Sequence, residues 1–280
     1  MMRAGCTGPA VMARRLCLAI VVLATATAAK PVVILHPDDV MDSPLPKAAI
    51  TNWTDAPGRR AVSLAVPGAT LRGYAYSGGL PSAPVLLMFG GSGNLVVRHD
   101  GAARAFARYA SRVVFYDYRG YGYSTGTAHF TDLEADAVRV YDAVSKTTAA
   151  PVVVLGYSMG TAIAEHVAVR RPLAGLILCA PWNDFVAASV YEDPKNAYIL
   201  APDAKLLFDE IALVKRIRAP LLVLQGTLDD AIPPSQGPAL ERVAASPDKR
   251  FVSIRGAKHD GLLEDPRTQT AVGHFIGGLR

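Results

Sequence analysis

Two short motifs in the sequence contain a serine that could act as a nucleophile. Both have the form Gly-x-Ser-x-Gly, and their central residues are Ser124 and Ser158. A serine hydroxyl attacks a carbonyl group efficiently only when a neighbouring base removes its proton and nearby donors stabilise the oxyanion that forms. The motif alone therefore does not select the nucleophile, and the elements around each serine must decide between them.

The residues that flank Ser158 fit the strand–turn–helix setting that such a nucleophile requires. The apolar run Pro151–Leu155 leads into the motif, and Thr161–His166 continues it with helical character. The helix start would then present a backbone N–H to the developing oxyanion. Ser124 instead follows the glycine-rich stretch Arg119–Gly122, which separates it from the preceding strand, so we predict that it is a loop residue.

One of the six histidines lies where the general base is expected. His259 sits in Gly256–Gly261, after the last predicted strand, and preserves the chain order serine, acid, histidine. His166 lies on the helix after Ser158 and is predicted to be a surface or packing residue, whereas His274 belongs to the final helix. The other three, His36, His99 and His129, all precede the nucleophile.

The base needs a carboxylate to orient it and to stabilise its protonated form. Asp229 and Asp230 both lie in the loop after the predicted strand Leu221–Leu224, at the carboxyl end of that strand, where open α/β sheets place their sites. Asp184, after the preceding strand, is a third candidate. The residue types alone leave all three open.

Alternation of strand-like and helix-like segments predicts the scaffold for these residues. Continuous Val, Leu and Ile runs are typical of strands that are buried on both faces, and their alternation with helices indicates a mostly parallel sheet with helices on its flanks. The eight predicted strands are Ala61–Val66, Leu71–Tyr76, Val85–Phe89, Val113–Tyr116, Val152–Leu155, Leu173–Cys179, Leu221–Leu224 and Arg250–Ile254, with Pro67-Gly68 forming a hairpin turn between the first two. The predicted helices are Asn94–Tyr109, Asp132–Lys146, Met159–Arg170, Gln236–Ala245 and Pro266–Gly277.

These elements form one α/β domain over residues 61–280, preceded by an irregular segment at residues 30–60. Pro181–Ala219, between the sixth and seventh strands, is longer than an ordinary connection. It contains Trp182, Phe185, Tyr191, Tyr198 and Phe208. The segment has two interpretations: a short cap whose apolar side chains contact the substrate, or a crossover helix with a long lead-in.

Residues 1–29 have the three parts of a secretory signal peptide. Arg14 and Arg15 precede the apolar run Leu16–Leu23, and the small-residue stretch Ala24–Ala29 allows cleavage after Ala26, Ala28 or Ala29. We therefore expect an exported protein, periplasmic in a bacterium or secreted, with no stable membrane span in the mature chain. An uncleaved N-terminal anchor and a buried helix are the alternatives.

Cysteine content and charge restrict the remaining possibilities. Cys6 and Cys17 lie within the leader, so Cys179 would be alone in the mature chain, where a buried small hydrophobic residue is the expected role. Of the net charge of +5, three arginines belong to the leader, and the remainder gives no reason to expect a nucleic-acid partner. No Cys/His cluster has metal-ligand spacing and no phosphate-binding loop is present, so we expect no metal or organic cofactor.

Together these features make the sequence resemble the α/β-hydrolase superfamily over nearly all of residues 61–280. It is most similar to the small-capped branch that includes Bem46-like proteins and serine-hydrolase depalmitoylases. Four blocks carry the resemblance: Phe89–Asn94, Asp117–Ser124, the turn around Ser158, and Gln225–Asp230. It departs from the family in having Gly90-Gly91 and Gln225-Gly226 where His-Gly is usual.

The resemblance implies roles for individual residues. Ser158 would be the nucleophile, His259 the base, and Asp229, rather than Asp230, the acid. The backbone N–H groups of Met159 and Ser92 would form the oxyanion hole.

The implied reaction is acyl transfer without a cofactor, on a small-molecule or acylated substrate. We expect hydrolysis of carboxylic esters or thioesters. A peptidase or amidase on the same three residues, and a binding protein that retains the fold without turnover, are the alternatives.

Overall fold

An eight-stranded, mostly parallel sheet forms the centre of the molecule. The computed structural model describes residues 30–41, 53–93 and 95–279, so the predicted leader lies outside the described residues. The described strands are β1 (Val32–Leu35), β2 (Arg59–Val66), β3 (Ala69–Ser77), β4 (Val85–Phe89), β5 (Arg112–Tyr116), β6 (Val152–Tyr157), β7 (Gly175–Cys179), β8 (Ala197–Leu200), β9 (Leu221–Gly226) and β10 (Lys249–Ile254). The central sheet has the order β10-β9-β7-β6-β4-β5-β3-β2, and all eight predicted strands are confirmed in it.

Eight helices accompany these strands in the described part of the chain. They are α1 (Asp100–Ala107), α2 (Phe130–Lys146), α3 (Met159–Ala168), α4 (Phe185–Glu192), α5 (Pro202–Leu207), α6 (Glu210–Val214), α7 (Gln236–Val243) and α8 (Pro266–Gly278). The five predicted helices correspond to α1, α2, α3, α7 and α8. The first begins later than predicted, because Val96–His99 forms a 3-10 turn and Asn94 lies outside the described residues.

The two faces of the sheet pack against different helices. Side chains alternate across a strand, so Leu87 of β4 joins the cluster formed with α2, α3 and α7, whereas Met88 joins the cluster formed with α1 and α8. All five residues of β4 are buried. This double burial explains why the central strands are continuous apolar runs.

The predicted hairpin lies at one edge of the sheet. β2 and β3 pair antiparallel from Arg59–Tyr76 to Val66–Ala69. Gly68 has φ of +76° in the turn, a conformation that glycine adopts without steric cost. β3 also pairs antiparallel with β5, and the remaining pairings in the central sheet are parallel.

The expectation of an irregular segment at residues 30–60 was wrong for its beginning. β1 pairs in parallel with β8 to form a separate two-stranded sheet, with Ile34 opposite Ile199. Val33 and Leu35 are buried on the inner face, and this alternation stabilises a strand that is too short to be evident from the sequence. Residues 42–52 of the same segment lie outside the described residues.

The segment 181–219 is more than a crossover helix, since it contains α4, β8, α5 and α6. However, three of its five aromatic residues, Trp182, Phe185 and Phe208, pack inward, and Tyr191 is the exposed one at 46%. Trp182 and Phe208 are buried and pack edge-to-face, Phe185 contacts both, and Phe130 of α2 completes the cluster. These side chains attach the segment to the domain core.

No helix among the described residues has the length and apolar character needed to span a bilayer.

Two fully buried glutamates lie where α3 meets α6. Glu165 and Glu210 are both inaccessible, and none of their carboxyl oxygens has a hydrogen-bond partner among the described residues. Burial raises the pKa of Glu210 to about 8, and burial together with the charge of Glu210 raises the pKa of Glu165 well above its usual range. The indole N–H of Trp182 favours the charged form of Glu210 but falls outside hydrogen-bond geometry. The pair therefore holds protons at neutral pH.

We predict that Glu210→Gln stabilises the protein, and increasingly so as the pH rises. An unfolded glutamate loses its proton near pH 4.5, whereas folded Glu210 keeps it until about pH 8, so the native state binds more protons in this window and its stability falls with rising pH. Glutamine removes this dependence. The gain in unfolding free energy, measured by urea denaturation, should be about 1 kcal/mol or more at pH 8 and small at pH 4.5.

The exposed Glu192, changed to glutamine, controls for the loss of one negative charge. A gain for Glu210→Gln that does not vary with pH, or that matches the control, would contradict the prediction.

Candidate active site

The turn between β6 and α3 holds Ser158 in a strained backbone conformation. Ser158 has φ of +53° and ψ of −125°, a region that residues with a side chain rarely adopt. Its backbone N–H donates to the carbonyl of Cys179 at the end of β7, 2.9 Å away. The turn thereby directs the hydroxyl outward at the carboxyl edge of the sheet, where open α/β sheets bind ligands.

Glycines on both sides make this turn possible. A Cβ at position 156 would lie 2.3 Å from the carbonyl oxygen of Gly160, and one at position 160 would lie 2.3 Å from that of Phe89. Real side chains do not approach backbone oxygens so closely. The start of α3 therefore lies directly against the end of β4, and this brings the loop that carries Ser92 beside the turn.

A continuous row of hydrogen bonds links Ser158 to two of the predicted site residues. Nε2 of His259 lies 2.9 Å from Oγ of Ser158, and Nδ1 lies 3.0 and 3.1 Å from the two carboxylate oxygens of Asp229. Because a carboxylate only accepts hydrogen bonds, Nδ1 carries the proton and Nε2 is left to accept from the serine. The structure thus brings together Ser158, His259 and Asp229.

The other two acidic candidates lie elsewhere. Asp230 is exposed and pairs with Lys258 at 3.3 Å, while its second oxygen lies 3.4 Å from the backbone N–H of His259. Asp184 caps α4 by accepting from the backbone N–H of Ala187. Neither reaches the His259 ring, so geometry distinguishes the three carboxylates that the residue types left open.

Ser124 has a structural role, as predicted. Its side chain is fully buried in a loop, donates to the carbonyl of Asp117 at 2.8 Å and accepts from the backbone N–H of Arg72 at 2.8 Å. Both polar functions of the hydroxyl are thus used within the fold. His166 is likewise a packing residue, buried and paired with Glu134 at 2.8 Å.

Two residues at the end of β5 hold the loop that follows β4. The Tyr118 hydroxyl donates to the carbonyl of Gly90 at 2.8 Å, and Asp117 accepts from the backbone N–H of Val96 at 2.8 Å. Burial raises the pKa of Asp117 to about 6, although hydrogen bonds from the backbones of Val96 and Tyr123 counteract the shift. The loop with Gly90-Gly91 is therefore fastened at both of its ends.

Comparison with known proteins identifies the scaffold. A family model described as serine aminopeptidase, S33 matches residues 81–201. The uncharacterized protein Rv2307c of Mycobacterium tuberculosis is 32% identical over 230 residues, which cover 78% of this chain and 79% of that protein. The chain belongs to the α/β-hydrolase superfamily.

Two further similarities concern proteins that have a stated activity or ligand. The lysophosphatidylserine lipase ABHD12 of Mus musculus is 28% identical over 193 residues, and the match covers 59% of this chain but only 48% of that protein. The ferulic-acid complex of Est1E from Butyrivibrio proteoclasticus superimposes with a TM-score of 0.63 at 19% identity, covering 78% of this chain and 98% of Est1E. The second similarity shows that the α/β-hydrolase fold is shared.

Gln225 of this α/β-hydrolase is a site residue that the sequence motifs do not reveal. Its side-chain N–H donates to the carboxylate of Asp229 at 2.7 Å, and the backbone N–H groups of Ala231 and Ile232 donate to the same carboxylate. Together with His259 they provide four donors for a side chain that is fully buried. The only signal was the position of Gln225 just before Gly226, where the family usually has histidine.

Across the described residues, no three His, Cys, Asp or Glu side chains group as metal ligands.

We predict that Gln225→Glu destabilises the protein more strongly as the pH rises. The substitution would place a second carboxylate beside the buried Asp229, so one of the two must keep its proton in the folded state. The native state would then bind more protons than the unfolded state at neutral pH, and stability would fall with rising pH. We expect a penalty of about 2 kcal/mol or more at pH 8, measured as the shift in unfolding free energy, that diminishes towards pH 4.

Gln225→Met is the matched variant, because it removes the same hydrogen bond without adding a charge. Its penalty should vary much less with pH. Parallel pH curves for the two variants would show that Gln225 does not stabilise a charged Asp229.

Proposed function

We propose that this α/β-hydrolase cleaves carboxylic esters or thioesters through an acyl-enzyme on Ser158. The observation that carries the proposal is the row of hydrogen bonds from Ser158 Oγ through His259 to the buried Asp229. A serine beside an oriented neutral imidazole is the arrangement that activates a hydroxyl for attack on a carbonyl. The strain at Ser158 further supports a functional role, since backbone strain is retained where the surrounding structure requires it.

The proposed reaction has two steps, acylation of Ser158 and hydrolysis of the acyl-enzyme. Ser158 Oγ attacks the carbonyl carbon as its proton passes to Nε2 of His259, and the same proton then leaves with the alcohol or thiol to give the acyl-enzyme. Water attacks the acyl carbon while His259 accepts a proton, and that proton returns to Ser158 as the carboxylic acid departs. Asp229 stabilises the imidazolium in both steps.

The proposed oxyanion hole consists of the backbone N–H groups of Met159 and Ser92. Met159 is the first residue of α3, where the helix dipole and unpaired N–H groups favour a negative charge. The close packing of Gly160 on Phe89 brings the Ser92 loop to the same place. Fastening of that loop by Tyr118 and Asp117 supports its role in holding a donor in a fixed position.

Two observations favour an ester or thioester substrate: exposed apolar side chains beside Ser158, His259 and Asp229, and the lipase activity in the name of one relative. Leu228 is 59% exposed and Tyr191 is 46% exposed, and the Tyr191 hydroxyl donates to the carbonyl of Asp229 at 3.0 Å. These side chains offer apolar contact area beside the proposed acid. ABHD12, a relative that matches over 59% of this chain, is a lipase. We therefore infer an acyl group with apolar character.

A peptidase or amidase remains the second candidate. It is favoured by the family model, whose description is serine aminopeptidase. The same acyl-enzyme would form, but an amine would leave. A binding protein without turnover is the third possibility, and the complete Ser158, His259 and Asp229 row argues against it, because a protein that only binds has no physical need for an oriented base beside a strained serine.

We predict that a fluorophosphonate probe labels the protein covalently on Ser158. Ser158→Ala should abolish labelling and lower ester turnover by about 10⁴-fold or more. Asp229→Asn should lower turnover by roughly 10⁴-fold, because the imidazole tautomer would no longer be fixed. Gel fluorescence and intact-mass spectrometry measure the labelling.

The matched controls are Ser124→Ala and Asp230→Asn, which remove the second motif serine and the neighbouring carboxylate. Folded protein of both should still be labelled. Labelling that persists in Ser158→Ala, or a loss with Asp230→Asn that equals the loss with Asp229→Asn, would overturn the assignment.

A substrate series separates the enzymatic candidates. We expect the ratio of kcat/KM to the uncatalysed hydrolysis rate to be at least about 10²-fold larger for p-nitrophenyl esters and acyl thioesters than for aminoacyl p-nitroanilides, since a site suited to esters need not protonate an amine leaving group. Ser158→Ala supplies the background rate for each substrate. A preference for the anilides would instead establish the peptidase reading.

A further inference from the structure

The tyrosine inside the nucleophile motif lies against the ring of His259. Tyr157 is the last residue of β6 and is 3% exposed. Its ring and the His259 imidazole are stacked, with centroids 5.3 Å apart and planes inclined by 30°. Separations of this size are typical of favourable aromatic pairs. The side chain next to Ser158 in the sequence thus provides a flat surface under the imidazole.

The same tyrosine also holds the backbone of the histidine. Its hydroxyl donates to the carbonyl oxygen of His259 at 2.7 Å. Burial, followed by the charges of Asp260 and Asp229, raises the pKa of the Tyr157 phenol well above its usual value. The phenol therefore keeps its proton at neutral pH and remains a donor.

We propose that Tyr157 is the positioning residue for His259, fixing both the plane of the imidazole and the loop that carries it. The inference rests on the proposed function, since it assigns Tyr157 a role through the base. Tyr157 makes no contact with the reacting atoms in this scheme. Its contribution is to keep Nε2 aligned with Ser158 Oγ.

The loop of His259 needs such support because it has little regular structure. Gly256 and Gly261, on either side of the histidine, have φ of +76° and +84°. The hydrogen bonds of Nδ1 and Nε2 fix two points of the ring, and rotation about the line through them is limited by the bond from Cγ to Cβ and by what lies against the face. Tyr157 occupies that face. A displacement of about 1 Å at a reacting group can cost on the order of 10²-fold in rate.

A second contact fastens the other end of the loop and supports Tyr157 from behind. Nδ1 of His99 lies 2.7 Å from Oε1 of Glu264, five residues after His259. The His99 ring packs edge-on against Tyr157 with centroids 5.9 Å apart. His99 is 8% exposed, whereas the side chain of Glu264 is 40% exposed, so the histidine end of this contact is buried and the glutamate lies at the surface. Tyr157 is therefore held between the imidazole that it supports and the buried ring of His99.

Two substitutions separate the contribution of the Tyr157 ring from that of its hydroxyl. Tyr157→Phe keeps the stacking surface and removes the hydrogen bond to the His259 carbonyl, whereas Tyr157→Leu removes both. We expect kcat per fluorophosphonate-titrated site to fall about 5- to 20-fold in the first variant and about 10²-fold in the second, with KM changed less than about two-fold. The rate of probe labelling should fall in parallel, because phosphonylation of Ser158 also depends on the base.

Tyr141→Phe is the matched control. The Tyr141 hydroxyl donates to the carbonyl of Pro172, so this variant also loses a tyrosine–carbonyl hydrogen bond, but one in a helix of the outer layer that the mechanism does not use. It should lower thermal stability while leaving kcat per titrated site within about two-fold of the wild type. Correction for titrated sites removes any difference in the folded fraction.

Proton NMR provides a readout that a purely structural role would not change. The downfield Nδ1–H resonance of His259, bonded to Asp229, should broaden or be lost in Tyr157→Phe and persist in Tyr141→Phe. The positioning role of Tyr157 would be overturned if both Tyr157 variants kept the wild-type kcat per site, or if only KM changed. In that case labelling of Ser158 would still support the proposed function. Failure of the wild type to label at Ser158 would instead reject the proposed function itself.

Discussion

The close approach of α3 to the end of β4 is the constraint on which the site depends. Gly160 lies so near the carbonyl of Phe89 that no side chain could be accommodated there, and Gly156 meets the same limit on the other side of the turn. This packing forces the positive φ of Ser158, directs its hydroxyl out of the sheet and brings the loop after β4 to the helix start. Backbone geometry therefore brings the serine and the proposed oxyanion donors together.

The remaining residues of the site come from separate strands and are fixed by hydrogen bonds, which include a backbone bond from Leu228 to Ala257 between their two loops. Asp229 follows β9 and is held by Gln225 and two backbone N–H groups, while His259 follows β10. Neighbouring parallel strands end at the same edge, which explains how residues about 100 positions apart in the chain meet. The acid and histidine loops are thus bonded to each other, and Tyr157 bonds the histidine loop to the serine turn, so the three residues are positioned together.

Most of the fold could be predicted from the sequence because its central strands are uninterrupted Val, Leu and Ile runs between clear helical patterns. β1 and β8 could not, since each has only four residues and gains its stability from a partner far away in the chain. The positions of Ser158 and His259 followed from strand-to-loop context. The residue types left Asp229 and Asp230 open and only the family resemblance favoured Asp229, whereas in the structure burial and Gln225 distinguish these two adjacent and chemically identical side chains. The role of Tyr157 could not be predicted either, because the residue at the variable position of a motif does not indicate which side chain it will pack against in the fold.

The pairing of β1 with β8 has a consequence for the order in which the molecule can assemble. During synthesis the first of these strands is complete well before its partner, which lies more than 160 residues further along. A contact of such long sequence separation carries a large loop-closure entropy and forms late in folding. Until then Val33 and Leu35, which the folded protein buries, are exposed on an apolar strand with both edges open, of the kind that associates with other chains. Correct folding of the small second sheet thus requires that β1 stays separate from other chains until β8 has been synthesised.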